Sequence, residues 1–579
     1  MAWSFFCSRG NTKNTAISRH NIMQAFGYIV LSVLYGNAGG IFTSLGWLDH
    51  INTTQRNYGI AVSDVDNDSD MEFIVACFSG PNFVFKYDRI YRRLENIALP
   101  FTPYEELRDP YGRAVAVCAC DIDGDGREEI YFLNTNHAYA GDILLKWRDG
   151  QYEDLYKDYV NEEVEAEGYA GRSVACLDRL GTGKFSFIIT TYAHHGYGRF
   201  LLIEMDENDP RNNPENGVIV LKNMAKDVGI NRATGGRGIV VGPILGNFGK
   251  LDIFFANEGN PRLGNHGANF LFRNIGNGTF FDVARSYGLA DEEQNGSGVA
   301  LADLNNDCLV DIVYGNWKGN HRIFLQKQLE NGQRKFENVA RQQDFEKASM
   351  VRTVIVADFN NDGYSEIFIN NIYNYLKRGI QPNRLFTVKW RQNEKFLDVM
   401  PYDIGDALEP SMCGTGGAVT DINGDGVLDL LLSHGEHLKQ KLTIYTTKVN
   451  MNNNWIRVFP KSKFGAPARG ASVYLTLDTG EERLQIIDSG SGYLCQMEPI
   501  AHFGLHRASA VNLKVVWPDG KLKTRVLTNK DDKTTIIVEH PQRMESPNNS
   551  EQSEDKWNST KPSRDKRNST LESHEHGEL

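Results

Sequence analysis

Asp121-Ile-Asp-Gly-Asp-Gly-Arg-Glu-Glu129 carries acids at its first, third, fifth and ninth positions, and the same spacing returns four more times along the chain. The copies are Asp64-Val-Asp-Asn-Asp-Ser-Asp-Met-Glu72, Asp303-Leu-Asn-Asn-Asp-Cys-Leu-Val-Asp311, Asp358-Phe-Asn-Asn-Asp-Gly-Tyr-Ser-Glu366 and Asp421-Ile-Asn-Gly-Asp-Gly-Val-Leu-Asp429. All five read D-x-[DN]-x-D-x-x-x-[DE]. Two degenerate copies, Asp178-Arg-Leu-Gly-Thr-Gly-Lys-Phe-Ser186 and Ile244-Leu-Gly-Asn-Phe-Gly-Lys-Leu-Asp252, fill the gaps, so that seven starts lie 55 to 66 residues apart. A fixed long period of this kind marks a repeat architecture.

The flanks say what each loop joins. Short, small-and-apolar segments precede it (Gly59-Ile-Ala-Val, Gly298-Val-Ala-Leu, Gly416-Gly-Ala-Val) and others follow (Phe73-Ile-Val-Ala, Ile312-Val-Tyr, Leu430-Leu-Leu). Strand, tight polar loop and strand make a hairpin. A later pattern, fullest in Leu271-Phe-Arg-Asn-Ile-Gly-Asn-Gly-Thr-Phe-Phe-Asp-Val283, is echoed at Gln151–Leu155, Lys335–Val339 and Lys395–Val399 and supplies two more strands. Four strands per unit and seven units predict an all-β, seven-bladed β-propeller over residues 39–450. The seventh unit lacks the late element, while Phe42-Thr-Ser-Leu45 stands unused before the first. That strand is expected to complete blade seven and close the ring, removing the exposed edges of an open array.

Acids at alternating positions converge when such a loop wraps tightly, and glycine at the sixth position (Gly126, Gly363, Gly426) permits the turn. The expected ligands are Asp64, Asp66, Asp68 and Glu72; Asp121, Asp123, Asp125 and Glu129; Asp303, Asn305, Asp307 and Asp311; Asp358, Asn360, Asp362 and Glu366; and Asp421, Asn423, Asp425 and Asp429. With a backbone carbonyl, each set makes an oxygen cage of six or more ligands, which suits Ca²⁺; Mg²⁺ normally keeps several waters. One such loop is often only a solvated acidic turn, but five in register predict about five structural calcium ions. The degenerate loops lack most ligands and are expected to hold none. An EF-hand would end in Glu at position twelve between helices; here that position is Val75, Phe132, Tyr314, Ile369 or Leu432, between strands.

These loops resemble FG-GAP repeats of the kind found in integrin α-chain propellers. Farther on, Asn454-Trp-Ile-Arg-Val-Phe-Pro460, Gly465–Ala471, Gly490-Ser-Gly-Tyr-Leu-Cys-Gln-Met-Glu-Pro499, Ala501-His-Phe-Gly-Leu505 and Trp517-Pro-Asp-Gly520 resemble the ASPIC/UnbV module. A propeller followed by that module is the layout of the cartilage acidic protein family of secreted matrix glycoproteins. The resemblance spans roughly residues 40–540 and implies a binding role in matrix, with receptor binding or antagonism in the nervous system. Some members end in a cysteine-rich, calcium-binding EGF-like module; no cysteine follows Glu539 here.

Taken by itself, 451–540 reads as a small C-terminal β domain: Val473, Leu475 and Leu477 alternate with polar neighbours, and Pro518-Asp-Gly520 marks a hairpin. Gly490-Ser-Gly492 lacks the lysine and helix of a phosphate-binding loop and is expected to be a structural turn. Residues 541–579 are too poor in apolar side chains to fold. They end in His576-Gly-Glu-Leu579, which lacks the Asp of an ER-retrieval signal.

At the other end, Arg9, Lys13 and Arg19 precede an apolar run from Ala25 to Tyr35 and small residues to Gly39, so 1–38 reads as a signal peptide, with Met23 a second possible start. No other stretch is apolar enough to cross a membrane, and a secreted product is expected. Asn52, Asn277, Asn295, Asn558 and Asn568 stand in glycosylation triplets. Seven cysteines remain after Cys7, an odd number that sets no pairing. The net charge of −12 argues against nucleic acid as a partner. His434-Gly-Glu-His437, His194–His195 and His502 match no zinc spacing, and no nucleophile motif occurs. The reading is of a calcium-binding extracellular ligand for proteins or glycans, not an enzyme; the alternative is a propeller-based enzyme acting on extracellular polysaccharide.

Overall fold

A computed structural model describes residues 40–544, apart from 136–140, 166–170, 192–198, 214–215, 247–249, 260–266, 342, 373–380, 392–395 and 449–452. The signal segment, the tail beyond Met544, Asn558, Asn568, and His194 and His195 lie outside the described residues. Seven four-stranded antiparallel sheets follow one another in chain order. Blade 1 is built from Asn57–Ser63, Glu72–Cys77, Phe83–Asp88 and Arg93–Asn96. The innermost strands of blades 2 to 7 are Ala114–Cys120, Gly171–Leu177, Gly235–Gly242, Gly296–Ala302, Val351–Ala357 and Gly414–Thr420. Each packs beside the next, and the last packs beside Asn57–Ser63, so the seven sheets form a closed ring. The chain is a seven-bladed β-propeller.

Closure is made as the sequence suggests. Phe42–Ser44 pairs antiparallel with Thr443–Thr447, Phe42 opposite Thr447, as the outer strand of blade 7. Phe42 is 1% exposed and meets the rings of Phe359, Phe368 and Tyr445 edge-on. Phe42→Ala is therefore expected to cost about 3 kcal/mol, the usual penalty for emptying a buried aromatic site, read as a lower denaturant midpoint; an unchanged midpoint would deny the clasp any role in stability.

Inner strands crowd an axis, which explains their small residues. A Cβ on Gly59 would lie 2.0 Å from the carbonyl oxygen of Leu494, and one on Gly416 would lie 2.1 Å from that of Tyr58. Every inner strand also carries a β-bulge near its start, between Asn57/Ile60, Ala114/Ala116, Gly171/Ser173, Gly236/Gly238, Gly296/Val299, Val351/Val354 and Gly414/Gly417. Bulges bend a strand and re-aim side chains.

The C-terminal region is two small sheets around one apolar core. One holds Glu482–Ile486, Ser472–Leu477, Ala510–Val516 and Leu522–Val526; the other holds Ala501–His506, Asn454–Pro460 and Thr535–Val538. Val473, Leu475 and Leu477 point into the core as their alternation implies, and Gly520 turns the expected hairpin at φ 80°.

This region is not an appendage. Residues Asp488–Glu498 enter the ring and bond to its inner strands. Gln496 pairs with Ala61, and its side-chain amide exchanges hydrogen bonds with the backbone of Ala119 (2.9 and 3.1 Å). Gly492 pairs with Val299, and Ser489 accepts from the Cys176 amide. The Cys495 thiol lies 3.4 Å from the amide nitrogens of Ile60 and Gly417. Gly490 and Gly492, expected to be an ordinary turn, shape this plug: both have positive φ, and a Cβ on Gly490 would lie 2.5 Å from the Ala175 methyl. The anchor is Arg469, fully buried, donating to Glu128 (2.6 and 3.3 Å) and to the carbonyls of Val62, Asp488 and Met497.

Candidate metal centre

All five acidic loops fold alike. The first aspartate uses both carboxylate oxygens on the loop itself, accepting from the backbone amide at position six and from one at position four or five. Asp64 accepts from Asp68 and Ser69 (3.0 Å each), Asp121 from Gly124 and Gly126, Asp303 from Asp307 and Cys308, Asp358 from Asp362 and Gly363, and Asp421 from Asp425 and Gly426. Position six has positive φ throughout, including Ser69 (77°) and Cys308 (61°) where glycine is replaced. Position four does too, in Asn67, Gly124, Asn306, Asn361 and Gly424. Asn or Gly at that place in every copy was a legible signal of the left-handed turn that the acid pattern alone overlooks.

The ninth residue closes the loop. Glu72, Glu129, Asp311 and Glu366 each spend one oxygen on the amide at position two (Val65, Ile122, Leu304 and Phe359, 2.8–3.0 Å), and all four are essentially buried. This brings the acids together: Asp64, Asp66 and Glu72, and likewise Asp121, Asp123 and Glu129, each offer an oxygen within 4.8 Å of the others. Oxygens are left over for a ligand. Asp66 Oδ1, Glu72 Oε1 and Asn305 Oδ1 are buried without a hydrogen-bond partner among the described residues. A hard cation fits that all-oxygen donor set.

Burial makes the clustered charges costly. It pushes Asp64 up to about 6, Asp303 and Asp358 to about 7 and Glu129 to about 8, with neighbouring carboxylates adding to it. Glu72, Asp311, Glu366 and Asp429 are also raised well above the carboxylate range, by burial first and by their neighbours second.

The degenerate loops separate shape from charge. Asp178 still caps Thr182 and Gly183 (2.9 and 2.8 Å), and Gly181 and Gly183 keep positive φ. Leu180, Thr182 and Ser186 replace the other acids, so the backbone turn forms without a cage. In the fourth loop Asp252 keeps the ninth-position bond, to Leu245, while Ile244 replaces the first acid.

Two lysines complete the picture, and sequence spacing did not reveal them because they come from the third strand of the blade. Lys146 Nζ lies 3.0 Å from Asp123, 2.5 Å from Asp125 and 2.9 Å from Glu129, and is nearly buried. Lys86 pairs likewise with Asp66 and Asp68, with Glu72 at 3.8 Å. Loops 1 and 2 are those with Asp at position three; loops 5, 6 and 7 have Asn there. Among the described residues no lysine forms an ion pair with those three loops. Four carboxylates less one ammonium leave loops 1 and 2 at −3, three carboxylates leave loops 5 and 6 at −3, and Arg457 beside Asp421 brings loop 7 to −2. A unit charge about 5 Å away is worth ~1–3 kcal/mol at an effective dielectric between that of water and about 20. Lys146→Met is therefore expected to raise calcium affinity at loop 2 about tenfold or more, measured by chelator competition; unchanged affinity would make the lysine a bystander.

The C-terminal domain rests on these loops. Arg457 donates to Asp421 (3.2 Å) and to Glu498, Asn361 meets His502 Nε2 (2.6 Å), and Asn306 donates to Glu481 (2.8 Å). His502 is thus a buried structural residue. His434 is another: its two ring nitrogens contact Glu409 (3.0 Å) and the Lys441 carbonyl (2.7 Å). Cys77, Cys118, Cys120, Cys176, Cys308 and Cys495 form no disulfide among the described residues, and the Cys118 and Cys176 sulfurs lie 3.2 Å apart. Of the glycosylation triplets, Asn52 and Asn277 are exposed, the latter at a hairpin tip; Asn295 is half-buried and accepts from the Gly259 amide.

Family models agree with both halves. The FG-GAP-like repeat matches residues 249–314 and 303–369, and the ASPIC and UnbV model matches 461–544. Cartilage acidic protein 1 of Xenopus tropicalis is 50% identical over 499 residues, covering 85% of this chain and 74% of that protein. This chain belongs to the cartilage acidic protein family. The Homo sapiens cartilage acidic protein 1 is 49% identical over 498 residues, covering 85% of this chain and 73% of its own length. Among solved structures, BBS1N in complex with ARL6DN is 12% identical at a TM-score of 0.39, covering 71% of this chain and 98% of that one. Among the described residues, no helix of this family member is long and apolar enough to cross a membrane.

Proposed function

We propose that the chain is a secreted, calcium-binding matrix glycoprotein whose propeller presents a rigid surface to protein or glycan partners, including cell-surface receptors in cartilage or the nervous system. The observation that carries this reading is the common geometry of the five acidic loops in a cartilage acidic protein: one backbone turn and a net negative charge in each, with buried oxygens left over in loops 1 and 5. Twenty side chains would hold the ions, four per loop, from Asp64 to Asp429 as assigned from the sequence. Calcium supplies two positive charges per loop and neutralises most or all of the negative charge that each presents. It does no chemistry; by quieting the loops it steadies the face on which Arg457, Asn361 and Asn306 hold the C-terminal domain. The test is retention of extracellular-matrix or neural-membrane proteins and glycans on the immobilised chain, with calcium and after chelation. Calcium-dependent retention with no glycan cleavage is expected. Release of cleaved oligosaccharide would overturn the binding reading in favour of an enzyme.

A further inference from the structure

The mouth of the ring opposite the acidic loops is lined by the bulge residues of the inner strands, and three of the seven bulges hold arginine: Arg172, Arg237 and Arg352. They come from blades 3, 4 and 6, and two of them meet one ring. Tyr493, in the plug, receives a hydrogen bond on its hydroxyl from Arg172 Nη1 (3.2 Å), and the Arg352 guanidinium lies 5.1 Å from its centroid. Tyr493 is fully buried. The plug therefore floors the mouth and the bulges wall it.

The hydrogen-bonding capacity of two of these arginines is not used up. Arg237 donates Nε to Glu258 (2.6 Å) and pairs through Nη2 with its other oxygen; Arg352 donates Nη2 to Glu436 (2.7 Å) and stacks on Trp317 at 4.2 Å. Each of these two carboxylates leaves part of its guanidinium unused. Arg237 and Arg352 are 6% and 4% exposed, yet Nη1 of Arg237 and both Nε and Nη1 of Arg352 have no acceptor among the described residues. Buried N–H groups are nearly always satisfied, and an orphan usually marks an absent water or ion. Arginine, planar and permanently charged, suits oxyanions in particular. The burial of these groups also weighs against a merely solvated basic rim.

We propose that this mouth is an oxyanion site: a single carboxylate or sulfate group, held by Arg237 and Arg352 beside Arg172 and Tyr493. It deepens the binding reading above, and rests on it only for the source of the group, namely an acidic or sulfated sugar of the matrix. The site itself needs only one oxyanion, so a free ion and a sugar-borne group are separate arms of the test.

The full chain, with calcium and at low ionic strength, is titrated calorimetrically with sodium sulfate and, separately, with a sulfated uronic-acid disaccharide. One equivalent is expected to bind in at least one arm, and Arg352→Gln is expected to weaken it tenfold or more. Arg172→Gln, at a half-buried position, is the second variant and guards against a misfolded first one; it is expected to weaken binding severalfold at an unchanged melting temperature. Selenate diffused into crystals is expected to give an anomalous peak beside Arg352. Sulfate binding alone supports the site with an inorganic occupant, and disaccharide binding supports the sugar. Binding in neither arm, or equal binding by well-folded variants, overturns the site. Lost calcium-dependent retention with intact sulfate binding would instead count against the partner reading alone.

Discussion

Chelation at pH 7.5 is expected to lower the melting temperature by about 4–7 °C and to open the acidic loops and the plug to protease. Extracellular modules bind calcium with dissociation constants of roughly 10⁻⁴ to 10⁻³ M, and at tenfold excess one site contributes about 1.4 kcal/mol. Loops 5, 6 and 7 alone would then contribute about 4 kcal/mol, and all five at most about 7, since Lys86 and Lys146 already offset part of the charge of the first two. Unfolding entropy near 2 cal/mol/K per residue converts these figures to about one degree per kcal/mol for a folded unit of this size. The effect carries a pH signature. Asp303, Asp358 and Glu129 are raised to about 7, 7 and 8 when folded, against about 4 when unfolded. The metal-free fold therefore binds the extra protons, and these groups contribute stability that is present below about pH 4 and lost as pH rises through 7–8. Calcium displaces the protons, so the gap between loaded and stripped melting curves should widen from pH 5 to pH 8. A stripped protein, with calcium shown absent by metal analysis, that melts like the loaded one at pH 8 would refute the structural role.

Arg469→Met is expected to cost about 3–5 kcal/mol, the usual penalty for stranding a buried charge. Glu128 would keep Ser63 as a partner (2.7 Å) but lose both bonds to the guanidinium, and the carbonyls of Val62, Asp488 and Met497 would lose their donor. The paired variant Arg469→Met/Glu128→Gln should recover part of the loss, because the stranded charge is then gone. Both are read as denaturant midpoints, with proteolysis at Asp488–Glu498 reporting whether the plug has left the ring. A single variant with the parental midpoint would mean that the plug is held by its backbone pairing and not by this anchor.

Much of the architecture was legible because it is local. Each acidic loop announces itself within nine residues, and the alternation of Val473, Leu475 and Leu477 needs only the two-residue period of a strand. Closure was legible because one unit lacked a strand and Phe42–Ser44 was left over. The Gly490-Ser-Gly492 segment turns as expected, yet nothing within those three residues says that they sit inside the ring of blades.

The sequence by itself determined the repeat, the blade count, the ring closure and the acids of every loop, since each depends on spacing along a few consecutive residues. Tertiary structure alone decided what meets across the ring. Lys86 and Lys146 enter loops 1 and 2 from a strand beyond the hairpin, Arg469 finds Glu128 341 positions away, and bulge arginines from two separate blades, Arg172 and Arg352, meet Tyr493. The physical reason is that a buried charge needs a partner wherever one can be brought, and only closure of seven blades around a plug brings these together.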